Sequence, residues 1–253
     1  MPRRSTNLIA VPAYNESATI ADVLAGIRRD APGWDIVVID DGSLDATAAI
    51  ADAAGAAVLR LPFNLGIGGA VQAGFTYARE HGYERMAQLD GDGQHDPTQL
   101  VRLAAAMDAD PQLDMVCGSR FLSEEFHYPA PVSRRTGIHI FAFLLSRLVG
   151  QRITDPTSGF RLYNRRAIRL FASDYPHDYP EVEAVLMLHH HSLAMREVPV
   201  KMHARGGGAS SITSGKSAYY MVKVLLALFI GLFRARPVPI ADDPPAELAE
   251  QGA

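Results

Sequence analysis

The run Leu8-Ile9-Ala10-Val11-Pro12-Ala13-Tyr14-Asn15-Glu16 begins as a short apolar stretch and ends in aromatic and polar residues. Four to eight apolar residues closed by turn chemistry read as a buried strand. The pattern recurs at 35–40, 57–61, 85–89 and 115–118, each time bounded by Pro, Asn, Asp or Gly. Between these runs, 17–30, 45–54, 69–81 and 97–110 carry helical patterning. Ser17 and Asp45 are expected as N-caps, and Pro97 suits a first helical turn. Strands alternating with helices specify an α/β fold, a Rossmann-like and mainly parallel sheet with helices on both faces. Ligands of such open sheets bind beyond the carboxyl ends of the strands, so the chemistry should sit just after each strand.

It does. Asp90-Gly91-Asp92-Gly93-Gln94-His95-Asp96-Pro97 follows the fourth apolar run. Two carboxylates two residues apart, with glycines between and after, turn oxygen ligands towards one point. Mg²⁺ and Mn²⁺ take such ligands and complete their shell with diphosphate oxygens and water. A polar turn of unpaired aspartates is the plain alternative. Strand one leads into Tyr14 and Glu16, and strand two into Asp40-Asp41-Gly42-Ser43. An aromatic ring and carboxylates in those positions suit a nucleobase and ribose, although cap and turn chemistry would use the same residues. The first turn lacks Gly-x-Gly-x-x-Gly, which disfavours a dinucleotide-dependent dehydrogenase.

After residue 118 the rhythm changes. Helices are expected at 133–149, 164–171 and 181–191, a turn-rich segment at 154–161 and a strand at 194–202. Residues 218–233 are apolar with basic flanks, about 16 residues against the roughly 20 needed to span a bilayer. They read as a C-terminal helix on a membrane surface or in a contact with a second copy of the chain, with a buried core helix as the alternative. The Gly-rich segment beginning at Arg205 permits closure over a substrate. His189-His190-His191 cannot share one helix face and is no metal set.

The 253 residues are 48% hydrophobic and 21% charged with a net charge of −4, which allows one cored domain and argues against a general nucleic-acid binder. We expect a catalytic domain at 1–212, divided into a donor half at 1–118 and an acceptor half at 119–212. The apolar helix at 213–236 and a disordered tail at 237–253 would follow. The single cysteine, Cys117, reads as a buried hydrophobe and fits a reducing compartment. No signal-like apolar region is seen at the N-terminus, so no export is expected.

The segments 11–16, 39–43, 64–70 and 90–97, then Gly118-Ser119-Arg120-Phe121, Asp155-Pro156-Thr157-Ser158-Gly159-Phe160-Arg161 and Glu197-Val198-Pro199-Val200, occur in the order found in one enzyme family. With them the chain resembles the family two glycosyltransferases, and within these the dolichol- or polyprenol-phosphate mannosyl- or glucosyltransferase branch. The resemblance implies the GT-A fold and inverting transfer of a hexose from a GDP- or UDP-sugar to a polyprenyl phosphate at the inner face of a membrane. It implies that Pro12, Ala13, Tyr14, Glu16, Asp41, Asp90, Gly91 and Asp92 hold the nucleotide sugar, and that Asp90, Asp92 and Gln94 surround Mg²⁺ or Mn²⁺. Arg120, Arg134 or Arg135, Ser158 and Arg205 would meet phosphate groups, with Asp92, Arg120 and Arg205 as catalytic residues. Ile67 stands where many relatives carry Lys, so that contact is absent. A saccharide or other hydroxyl acceptor is the alternative and would need a base, for which Glu183 or Glu181 are candidates. A non-catalytic nucleotide-sugar-binding protein is the remote one.

Overall fold

The computed structural model of the chain describes residues 5–123, 132–177 and 179–203. The expected helix at 218–233, the tail and Arg205 lie outside them. Strands β1 (Asn7–Ala13), β2 (Asp35–Asp40), β3 (Ala57–Arg60), β4 (Arg85–Gln88), β5 (Leu113–Ser119), β6 (Arg161–Asn164) and β7 (Ala194–Pro199) form one sheet in the order β3-β2-β1-β4-β6-β5-β7. The first four are mutually parallel, and β7 runs parallel to β5. β6 is antiparallel to both its neighbours, β4 and β5.

The two-residue period of a strand decides which side each residue serves. Leu8 and Ala10 of β1 enter one core with Val37 and Ile39 of β2, whereas Ile9, Val11 and Val38 enter the other. Helices α3 (Gly66–Glu80), α5 (Val132–Val149), α6 (Arg165–Ser173) and α7 (Pro180–His190) cover the first side. Helices α1 (Ile20–Asp30), α2 (Thr47–Ala53) and α4 (Leu100–Ala109) cover the second, with Trp34 packed beside them. Cys117 is buried in the first core, which pushes its thiol pKa up to about 12. Among the described residues no helix is long and apolar enough to cross a membrane.

Three expectations need correction. α1 starts at Ile20 after Thr19 and α2 at Thr47 after Ala46, neither with a side-chain cap, so Ser17 and Asp45 are not N-caps. Asp45 instead accepts from the backbone N–H of Ser17, 28 positions back, and from that of Thr47. The segment expected as turns to residue 161 leads straight into β6, which the four residues Arg161-Leu162-Tyr163-Asn164 are too few to announce. The last strand stops at Pro199, opposite Ser119 where its partner β5 ends, and the Val200 N–H makes the final bond to the Ser119 carbonyl (3.1 Å). Beyond it only Met202 bridges, to His95.

Candidate functional site

Three parallel strands end side by side. Their loops are held by hydrogen bonds between segments far apart in sequence. The Asn15 N–H donates to Ser43 Oγ at 3.0 Å, the Leu44 N–H to Asn15 Oδ1 at 2.8 Å, and the Glu16 N–H to Thr47 Oγ1 at 2.8 Å. Asn15 takes the left-handed conformation, φ 55°, that asparagine tolerates best after glycine. Gly42 is also left-handed at φ 69°, and a Cβ there would lie 2.8 Å from the Phe63 carbonyl carbon. Pro12 and Ala13 are buried beneath the loop, and Tyr14 stands exposed at its rim.

Asp41 is buried and accepts from the N–H groups of Leu65 (2.7 Å) and Gly66 (3.0 Å) at the start of α3. Burial raises its pKa against those two donors, and the neighbouring Asp40 adds to the rise. The glycine-rich segment thus meets the second strand through backbone amides, which do not depend on the side chain at position 67. Ile67 itself is exposed.

The loop after β4 is fixed at both ends. The Gly91 N–H donates to the Pro12 carbonyl (3.2 Å), and Thr19 Oγ1 donates to the Gly91 carbonyl (2.8 Å) and to Glu16 Oε2 (3.1 Å). Asp92 is 3% exposed and takes both the Gln94 N–H (3.0 Å) and Gln94 Nε2 (2.7 Å). Asp90 is more open, with its side chain 31% exposed. Its N–H donates to His95 Nδ1 (3.0 Å), and the His95 ring stacks on Phe160. Asp90, Gly91, Asp92 and Gln94 are therefore drawn together with Pro12, Ala13 and Glu16.

The donor set fits a hard cation. Asp90 and Asp92 supply oxygen from one short loop, and Gln94 is already bonded to Asp92. Among the described residues no three His, Cys, Asp or Glu side chains converge. An ion held here would therefore draw its remaining ligands from a diphosphate and water, the arrangement Mg²⁺ favours.

A second loop faces this one. A Cβ added to Gly159 would lie 3.3 Å from Asp90 Oδ2, so the loop of Asp155 to Gly159 abuts the acidic loop. Arg120, the first residue after β5, is buried. It meets Asp155 through Nε (2.7 Å) and Nη2 (2.7 Å), with Nη2 also 2.9 Å from Thr157 Oγ1. Ser158 is buried, and its carbonyl accepts from Arg161 Nε (2.7 Å). Arg161 is fully buried and carries this loop from beneath, with Nη2 also donating to the Glu181 carbonyl at 2.7 Å. Glu181 and Glu183 lie in the first turn of α7, and burial raises the Glu181 pKa despite the Arg161 charge. Arg135 is exposed on α5. The side chain of Arg134 lies outside the described residues, as does Arg205.

Sequence reading assigned no individual task to Asp155, Arg161, His95 or Glu197. All four lay within quoted motifs. Only spatial proximity reveals their work, since Asp155 and Arg120 are 35 positions apart.

Comparison with known proteins shows the family and the fold. The family model "Glycosyl transferase family 2" matches residues 8–171. The chain is 32% identical over 216 residues to the undecaprenyl-phosphate mannosyltransferase of Micrococcus luteus, covering 82% of this chain and 88% of that one. It is 30% identical over 227 residues to the polyprenol monophosphomannose synthase of Mycolicibacterium smegmatis, covering 86% and 84% respectively. Among solved structures, glucosyl-3-phosphoglycerate synthase from Mycobacterium tuberculosis, in complex with Mn²⁺, UDP and glucosyl-3-phosphoglycerate, superposes with TM-score 0.69 at 19% identity. The match covers 90% of this chain and 80% of that one. At that identity the likeness speaks for the fold, which is that of the GT-A glycosyltransferases.

Proposed function

The chain belongs to glycosyl transferase family 2, and on that premise we propose that it transfers a hexose from a nucleoside diphosphate sugar to a polyprenyl phosphate. The observation that carries the reading is the meeting of the acidic Asp90–Asp92 loop with the Gly159 loop that grips Arg120. A donor diphosphate and an acceptor phosphate would need that juxtaposition. The names of the two bacterial relatives point to the same acceptor class.

In this account Tyr14, Glu16 and Asp41, over Pro12 and Ala13, hold the nucleoside at the ends of β1 and β2. Asp90, Asp92 and Gln94 would hold Mg²⁺ or Mn²⁺, which would neutralise charge growing on the leaving diphosphate, and Gly91 would meet the nucleotide sugar. Arg120, Arg134 or Arg135, Ser158 and Arg205 meet the acceptor phosphate, and guanidinium groups suit its oxygens. That phosphate is largely dianionic at neutral pH and needs no base. One of its oxygens bonds to the anomeric carbon as the bond to the diphosphate oxygen breaks, so a single displacement inverts the configuration. Residues 218–233 provide contact with the membrane that contains the acceptor.

A saccharide or other hydroxyl acceptor is the second reading, favoured by one observation: burial raises the Glu181 carboxyl towards the range of a working base. Glu183, in the same turn, is the other candidate. Incubation with labelled GDP-mannose or UDP-glucose, Mn²⁺ and either a polyprenyl phosphate or an oligosaccharide separates the two. An acid-labile, solvent-extractable glycolipid is expected. Labelled oligosaccharide without glycolipid would establish the second reading instead.

A further inference from the structure

No step of the transfer uses Glu197, the first residue of the Glu197-Val198-Pro199-Val200 motif. Its surroundings are nevertheless built with care. Oε2 accepts from the Thr154 N–H (2.8 Å) and from Thr154 Oγ1 (2.7 Å), and Oε1 accepts from the Asp155 N–H (2.9 Å). Thr154 Oγ1 also meets Ser119 Oγ at 2.6 Å, tying the same point to the end of β5. Asp155, with no solvent exposure, then takes the Arg120 N–H (3.1 Å) together with Nε and Nη2 (2.7 Å each). An unbroken chain of hydrogen bonds runs from β7 to the Arg120 guanidinium.

The chemistry of the first link is selective. A carboxylate accepts at both oxygens and donates at neither, which is what three converging donors require. Glutamine in the same rotamer would aim its NH₂ either at the Asp155 N–H or at the Thr154 pair, so one anchor would be lost. Burial raises the Glu197 pKa and the neighbouring Asp155 carboxylate adds to the rise, while the donors from Thr154 and Asp155 work against it.

We propose that Glu197 is a positioning residue for the acceptor phosphate, acting through Thr154 and Asp155 to fix the Nε/Nη2 edge of Arg120 and so the aim of the guanidinium. The proposal rests on the assignment of Arg120 to that phosphate. Both are tested in the full-length chain with Mn²⁺, the active donor sugar and farnesyl phosphate as acceptor, comparing wild type, Glu197→Gln, Arg120→Lys and the double variant.

Glu197→Gln is expected to raise the acceptor KM roughly tenfold, the size of one lost hydrogen bond to a charged group. The affinity for the nucleoside diphosphate with Mn²⁺, read by calorimetry, stays at the wild-type value. Arg120→Lys raises the same KM, and the double variant is no worse than Arg120→Lys alone. An unchanged acceptor KM in Glu197→Gln beside a raised one in Arg120→Lys overturns the relay and leaves the reading of Arg120 standing. No change in Arg120→Lys overturns that reading. Loss of nucleotide affinity in step with acceptor affinity in Glu197→Gln marks a merely structural role and overturns the proposal.

A readout without turnover is the NMR signal of the Arg120 Nε–H. It should exchange slowly in wild type and faster in Glu197→Gln at equal thermal stability, and equal exchange contradicts the relay. Should Glu197→Gln fail to fold, Thr154→Val removes one donor and keeps the carboxylate. It should raise the acceptor KM by about threefold for the weaker loss, and no change there is equally fatal.

Discussion

The two loop systems that meet at the crevice are held by different physics. The side proposed to hold the donor, at the ends of β1, β2 and β4, is laced by hydrogen bonds between backbone amides and short polar side chains at a partly exposed rim, as at Asn15, Ser43 and Asp45. The other side is anchored by charges taken wholly out of water: Asp155 and Arg161 have no exposure and Arg120 very little. Rim bonds are individually weak and exchange with solvent, so they shape a site at little risk to the fold. Buried ion pairs are costly to break, because the remaining partner is left charged without compensation. Donor-side substitutions should therefore damage function more than stability, and substitutions on the other side should damage both.

The largest test of that contrast is Asp155→Ala. It strands the Arg120 guanidinium and should destabilise the protein by about 3–5 kcal/mol, read as a lower denaturant midpoint. A loss under about 1 kcal/mol would mean that the pair is not compensating a buried charge. Next comes Asp92→Ala. Transfer should fall by about a hundred- to a thousandfold, as expected when the ligand to a charge-neutralising ion is removed. The denaturant midpoint should move less than for Asp155→Ala, and a larger drop would erase the distinction.

Gly42→Ala comes third. Its left-handed backbone and the 2.8 Å approach to Phe63 admit no side chain without movement of the turn. About 2 kcal/mol of stability and a weaker nucleotide affinity are expected, measured by unfolding and calorimetry.

The smallest effect is at Asp45. Burial alone would raise its carboxyl, but hydrogen bonds from Thr47 and Ser17 outweigh it and hold the pKa at about 2 against an ordinary 3.8. A carboxyl depressed in the folded state contributes stability above its unfolded pKa, and that contribution is lost as pH falls from about 4 to about 2. Because Asp45 is exposed, Asp45→Asn should cost only about 1 kcal/mol at neutral pH. It should also flatten the acid limb of the stability profile. Glu181 has the opposite sign: its raised pKa means that the folded state holds the proton more tightly. Its contribution to stability therefore falls as pH rises from the ordinary carboxylate value of 4.5 towards the raised one, and Glu181→Gln should remove that slope. Equal slopes in wild type and variant would contradict the burial of this group.

The same contrast explains what sequence reading saw. On the donor side, strand, turn and motif are contiguous, so the parallel strands were legible, as was the placing of Tyr14, Asp41 and Asp90 just beyond them. The error on this side concerned Ser17 and Asp45: they meet each other across two loops, and neither is the N-cap residue of the helix that follows, although Asp45 also accepts from the Thr47 N–H at the start of α2. On the other side the information is not local. β6 is a four-residue strand that exists because β4 and β5 flank it. The Arg120–Asp155 pair, the Glu197 anchor and the buried Arg161 join positions that no periodicity connects. Arg120 and Ser158 were named as candidates from their motifs, but the groups that hold Arg120 could be seen only in three dimensions.

The central claim is that a divalent ion held by Asp90 and Asp92 anchors the departing nucleotide beside the Arg120 loop. Anomalous diffraction at the manganese edge, from crystals grown with Mn²⁺ and a nucleoside diphosphate, tests it directly. The account predicts one strong peak bridging the Asp90 and Asp92 carboxylates and the diphosphate, with the base beside Tyr14 and Asp41. A diphosphate bound away from both aspartates, or a manganese peak that ignores them, would contradict it.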